Sequence, residues 1–383
     1  MTCDPIGTWA ERYKVEEAIH AQSEVLDNLR SMPSTQAAIA SHIQDIGRVL
    51  ATLPAELAAR YQPWVTAQAS YNFGSEAYYQ RRILSLLGGL SAAGTALPAG
   101  MDVLCARQLI NPSAFNGSPR IARTGCVSYV IFPAPTVYWM YSICTMIADC
   151  AAGRAINRAK LNLYLRSLIA ARSYERSVDP VAAHSIDFLV EEIVHRGDVE
   201  DVDPGEIQAP SDTMNMVSAA EEFIICHELA HLLLDHGATG GVVEEAEADR
   251  LALDLLASLP PVHFRHFESA SIEPRDFPQL GYLVLRMWTI VRLSAEQRIL
   301  PFICDSPEEV DVRKGKLDKI WAARVDQIDR VGILNRFEVT DAFRAVTIGT
   351  VRLAAEIAGE ELDLAEIDRI RRMARTLAER RLT

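Results

Sequence analysis

The sequence predicts a mainly α fold with a small β component, and three observations carry that expectation. Over most of the chain apolar residues recur three and four positions apart, the spacing of an amphipathic helix. One segment, Cys126–Phe132 (CVSYVIF), instead concentrates β-branched and aromatic residues and stops at Pro133 and Pro135, which reads as a strand. The composition, 49% apolar and 23% charged over 383 residues, is that of a globular chain and excludes a disordered or collagen-like one. At roughly 100–200 residues per domain, the length leaves room for about two or three. The chain divides into a helical region over residues 1–120, a core over 121–260 and a second helical region over 261–383.

Each element follows in order. Helices are expected over Thr8–Leu53 and Glu56–Leu87, and the Gly/Ala/Pro stretch Gly88–Gly100 reads as a linker or domain edge. After the strand, one helix starts at Thr136 and stops near Gly153, and another covers Ala155–Arg172. A polar, acidic connection spans His195–Pro210. Ser211 or Asp212 then caps a long helix that runs to His236, with Gly237 as its stop. The turn Gly237–Gly241 (GATGG) leads into a helix from Val243 to Leu259, ended by Pro260 and Pro261. Gln279–Arg298, Pro307–Val331, Val339–Ala358 and Leu364–Arg381 complete the helical set.

Net charge is −13, which disfavours nucleic acid as a partner. The charge is uneven. From Asp187 to Asp254 eighteen Asp/Glu stand against two Arg, a net −16 that leaves +3 for the rest of the chain. Such a segment is either a solvated acidic surface or a cation-attracting field around a site, and the field would favour a substrate with a basic region. No apolar run reaches the ~18–20 residues that span a bilayer. The N-terminus lacks the basic-then-apolar order of a signal peptide, so a cytoplasmic protein with no membrane partner is expected. Seven scattered cysteines without a CxxC pair read as reduced thiols, several of them buried.

The chemistry concentrates in Glu221–Leu256, EEFIICHELAHLLLDHGATGGVVEEAEADRLALDLL. It contains His227, Glu228 and His231 as HELAH. Residues four apart on a helix lie one above the other, so two imidazoles at that spacing can grip one metal ion. Glu228 stands about 100° round from His227, close enough to reach a water on that metal without being a ligand. By composition alone, about 0.03 windows of this kind are expected, and the motif lies within a strong helical pattern.

A catalytic zinc takes three protein ligands and leaves one position for water. His236, nine residues after His227, reads as a helix-end cation or surface residue. The better third ligand lies on the next helix. A short turn makes the two helices antiparallel, and at 1.5 Å per residue His231 is ~9 Å and Glu245 about 6 Å from the turn, so their levels match. Glu245, Asp249, Ala252 and Leu256 form one stripe. Asp249, one turn beyond Glu245, is placed to accept a hydrogen bond from a ligand imidazole and fix its tautomer. Glu244 and Glu247 compete with Glu245 as third ligand, and all of them would also suit a solvated helix start.

HELAH followed by ExxAD on the next helix resembles the gluzincin zinc metallopeptidases, most closely the ImmA/IrrE-like regulatory peptidases and the phage-exclusion (Lit-type) peptidases. The resemblance covers about Met214–Leu259. It implies a zincin-like core flanked by helical regions, Zn2+ held by His227, His231 and Glu245, Glu228 as catalytic acid/base, and Asp249 behind the ligands. The implied activity is hydrolysis of a peptide bond in a specific intracellular protein or peptide. The competing readings are a zinc-binding sensor or scaffold without catalysis, and a zinc hydrolase of a non-peptide bond. A further donor is needed for the oxyanion; His263, His266, Tyr282 and Arg286 are available but read as structural.

Overall fold

A computed structural model of the chain describes residues 33–69, 75–95, 102–108, 120–124, 127–177, 211–236, 241–260, 276–331, 341–365 and 367–373. Among these the chain is mainly helical. The helices are α1 (Pro33–Thr52), α2 (Ala55–Ala69), α3 (Ser75–Ala92), α4 (Ala134–Ala151), α5 (Arg158–Ser177), α6 (Ser211–Leu233), α7 (Val242–Ser258), α8 (Phe277–Ile303), α9 (Pro307–Val331) and α10 (Asp341–Gly359). Residues 364–365 and 367–373 add last, shorter helical stretches. The strand expected over Cys126–Phe132 is β3 (Val127–Pro133), central in a three-stranded sheet. It pairs in parallel with β1 (Asp102–Gln108) and antiparallel with β2 (Arg120–Thr124). The Tyr61 hydroxyl accepts a hydrogen bond from the Val103 N–H at 3.0 Å, tying the sheet to α2.

Several boundaries differ from the sequence expectation for identifiable reasons. The helix expected over Glu56–Leu87 is two helices, α2 and α3, with residues 70–74 outside the described set. The first part of Gly88–Gly100 is not a linker but the last turn of α3. A Cβ on Gly88 would come 2.3 Å from Leu53 Cδ2, so this glycine serves a close approach between helices. The helix ends instead at Gly94, in the left-handed region with φ 81°. Gly153 (φ 71°) likewise follows α4, as the sequence suggested. Parts of the N-terminal helix, His195–Pro210, Gly237–Gly240, His263, His266 and the end of the last helix lie outside the described residues.

The core is organised around α6. Every residue from Asn215 to Ala230 is buried, with Phe223, Ile225 and Cys226 fully enclosed. A helix with no solvated face sits inside the fold, its polar groups included. Its most extensive partner is α8, with α7 and α4 on other sides. The approach of α8 is set by small residues. A Cβ on Gly281 would fall 2.2 Å from the Ala219 carbonyl oxygen, a distance no side chain tolerates. No described helix is long and apolar enough to cross a membrane. Cysteines 144, 150, 226 and 304 are buried thiols in no disulfide, matching the expected reduced thiols.

Candidate metal centre

The polar side chains that α6 carries into the core each need a partner, because a buried charge without one is costly. One turn and more before the HELAH run, Glu221 and Glu222 meet α3. Arg82 Nη1 is 3.0 Å from Glu221 Oε2, and its Nη2 is 3.1 Å from Glu222 Oε1. Tyr79 donates its hydroxyl to Glu221 Oε1 at 2.8 Å, and Arg82 donates to the Ser218 carbonyl at 2.7 Å. These glutamates belong to the acidic segment, and so do the buried Glu228 and Asp249. That part of the segment is therefore not a solvated surface.

The helix pair α6/α7 brings the predicted residues together. His227 and His231, four apart on α6, place their Nε2 atoms 3.1 Å from each other. Glu245 of α7 reaches both, with Oε2 3.6 Å from His227 Nε2 and Oε1 3.5 Å from His231 Nε2. A tetrahedral site with bonds of about 2.0–2.2 Å spaces neighbouring ligand atoms about 3.3–3.6 Å apart. The triad therefore fits one metal ion in both donor type and spacing.

The rival carboxylates are engaged elsewhere. Glu244 Oε2 accepts the Gly241 N–H at 3.0 Å and caps the start of α7. Glu247 Oε2 stands 3.3 Å from His236 Nε2.

Asp249 lies behind the triad, fully buried, with Oδ1 2.9 Å from His227 Nδ1. Its other oxygen accepts from Arg286 of α8 and, at 2.7 Å, from Gln327 of α9. Burial alone would pull the His227 pKa down. The carboxylates of Asp249 and Glu245 outweigh it and hold the ring up, to about 10. Burial would raise Glu245, but hydrogen bonds from His227 and His231 hold it well below the usual carboxylate range. The carboxylates thus favour a positive charge at His227, the place where a bound cation would replace the proton. Arg286 is spent on Asp249, as its structural reading anticipated. Tyr282 is buried against Phe223, ring centroids 5.4 Å apart.

His236 was read as a surface or helix-end residue, and here the structure differs. Helix α6 ends at Leu233 rather than at His236, and Asp235 takes the left-handed conformation, with φ 55°. That turn lets the His236 N–H reach the His231 carbonyl at 3.0 Å. The His236 ring folds back so that Nδ1 lies 3.0 Å from His231 Nδ1, its side chain only 8% exposed. His236 is a neighbour of the triad and not a member of it.

Glu228 is buried and lines the same cavity as His227 and Glu245, with about 40 Å3 of space. A water needs roughly 10–15 Å3 on this measure, so the cavity admits a few waters. Its opposite wall comes from α8 and α9: Arg286, Trp288, Thr289, Arg292 and Arg324. Arg324 Nη1 is 3.7 Å from Glu245 Oε2 and donates to Gln327 Oε1 at 2.6 Å. The sequence reading did not single out Arg292, Arg324 or Gln327. They lie far along the chain from the motif, and their helical spacing alone does not say what they face. Cys226, beside His227, is enclosed, and burial pushes its thiol well above its ordinary value, so it is a core thiol. His195 lies outside the described residues. Compared with protein-family models, with curated proteins and with solved structures, the chain matches none.

Proposed function

We propose that this chain is a zinc metallopeptidase with a zincin-like core, cutting a specific protein or peptide in the cytoplasm. The observation that carries the reading is the placement of Glu228, a carboxylate that lines one cavity with His227 and Glu245 of the His227–His231–Glu245 triad. A purely structural zinc site is closed by four protein ligands, whereas three ligands beside a cavity with an acid/base is the catalytic arrangement. His227, His231 and Glu245 would hold the ion. When bound, zinc lowers the pKa of a water to about 7 and polarises a carbonyl.

The chain's own residues do the rest. Glu228 takes the proton of the attacking water as its oxygen bonds to the scissile carbonyl carbon. It then gives that proton to the departing amine nitrogen as the C–N bond breaks. Asp249 holds His227 by Nδ1 so that Nε2 points at the triad, and Arg286 and Gln327 hold Asp249. The acidic segment around the motif favours a substrate with a basic region away from the bond.

The reading is tested by metal analysis of the purified chain together with cleavage of a peptide library. About one zinc per chain and zinc-dependent cleavage are expected. Full zinc loading with no cleavage of any peptide would leave a sensor or scaffold, or a hydrolase of another bond.

A further inference from the structure

The wall opposite the triad has a chemistry of its own. Thr289 donates its hydroxyl to the Leu285 carbonyl at 3.0 Å and is thereby occupied. The Trp288 indole N–H is buried with no acceptor. Arg292 lies over the Trp288 ring, 5.4 Å from its centroid, and its Nε is 3.8 Å from Glu296 Oε1. Glu296 is shared with Arg172, whose Nη2 is 2.7 Å from the same oxygen. Arg324 approaches Glu245. The wall offers a buried N–H donor and guanidinium groups, and no carboxylate of α8 or α9 lines it.

A charge count sharpens this. With His227 and His231 neutral, as metal ligands must be, the arginines and carboxylates of the cavity and its immediate supports balance: Arg286 against Asp249, Arg324 against Glu245, and Arg172 and Arg292 against Glu296 and Glu228. A dication would add two positive charges that no side chain of the lining offsets. Loss of one proton from the water that Glu228 serves offsets one of them. In a cavity of about 40 Å3 the other is expensive to leave unmatched. An arginine wall can meet a carboxylate with parallel, charge-assisted hydrogen bonds.

We propose that the cavity binds a substrate carboxylate beside the scissile bond, held by Arg324 and Arg292 with the Trp288 N–H. This rests on the metallopeptidase reading and adds the substrate class to it. The carboxylate comes either from the free C-terminus of a peptide or from an Asp or Glu side chain. The basic region favoured by the acidic segment lies farther along the substrate, so the two requirements do not conflict.

The test uses the full chain carrying Glu228→Gln and loaded with zinc, so that peptides bind without being cut. Three pools of short peptides of random neutral sequence are offered. One has a free C-terminus, one is amidated and carries a single Glu, and one is amidated with Gln in its place. Captured peptides are quantified by mass spectrometry. One carboxylate pool is expected to bind about 10- to 100-fold tighter than the Gln pool, and which one tells chain-end from side-chain recognition. Arg324→Gln should erase the difference at unchanged zinc content, while Arg324→Lys should keep part of it. Arg324 is the safer position because its side chain is 31% exposed, whereas Arg292→Gln needs a melting curve beside it. Equal capture of all pools by fully zinc-loaded protein overturns the proposal and leaves the peptidase reading standing. A chain that takes up no zinc overturns both.

Discussion

Asp249 Oδ1 stands 2.9 Å from His227 Nδ1, and its second oxygen is held by Arg286 and Gln327, so one buried carboxylate joins α6, α7, α8 and α9. Two substitutions separate its electrostatic role from its packing role. Asp249→Asn keeps the shape but weakens the hold on His227, and metal affinity should fall about 10- to 100-fold in a chelator competition. Asp249→Ala also strands the buried Arg286, and should cost about 3–5 kcal/mol in denaturant unfolding. Equal zinc affinity in Asp249→Asn and the parent chain would show that His227 needs no such support.

The three neighbouring glutamates of α7 should behave differently. Glu245→Gln is expected to lower zinc affinity sharply, since it removes the carboxylate from the triad. Glu244→Gln should leave zinc binding unchanged and cost at most about 0.5–1 kcal/mol through its cap to Gly241. Glu247→Gln disturbs only the approach to His236, 3.3 Å away, and should have a smaller effect on zinc than Glu245→Gln. A zinc titration of the three variants side by side decides the ligand. Loss of zinc with Glu244→Gln would move the site by one residue.

Glu228→Gln keeps the size of the side chain and removes the base. It should retain zinc and fold while cleavage falls by roughly 10²–10⁴-fold. Zinc content and turnover are measured on the same preparation. Loss of both together would make Glu228 a ligand and reassign the roles on α6.

The left-handed turn at Asp235 predicts a backbone effect. Asp235→Gly should be tolerated, because glycine adopts φ 55° freely. Asp235→Val should cost about 1–2 kcal/mol or release the turn, carrying His236 away from His231. A thermal melt and a zinc titration report the two outcomes separately.

The sequence made the triad legible because its geometry is local. The i, i+4 spacing stacks His227 on His231, and a short turn sets Glu245 at their level. Asp249 followed from the same helix period. The sheet was announced by CVSYVIF, but β1 and β2 carry weaker patterns and the pairing order β1-β3-β2 depends on contacts across the chain. Arg292, Arg324 and Gln327 stayed hidden because periodicity marks a face without naming its neighbour. For Glu221 and Glu222 the choice between solvated surface and field around a site stayed open, because composition does not reveal Arg82, far earlier in the chain, folded against them. The end of α6 was misplaced because Gly237 is the stronger stop signal and Asp235 takes that conformation only in context.

The Arg82 contacts bear on how the metal ligands find their direction. An amphipathic helix is oriented by its greasy side, but α6 is buried all round and has no such preference. Spun about its own axis, it would still bury apolar groups, and His227, Glu228 and His231 would face the wrong way. Tyr79 and Arg82 remove that freedom, since only one rotation lets Glu221, Glu222 and the Ser218 carbonyl meet them. They act as a key in a slot, indexing the helix about one and a half turns upstream of the chemistry.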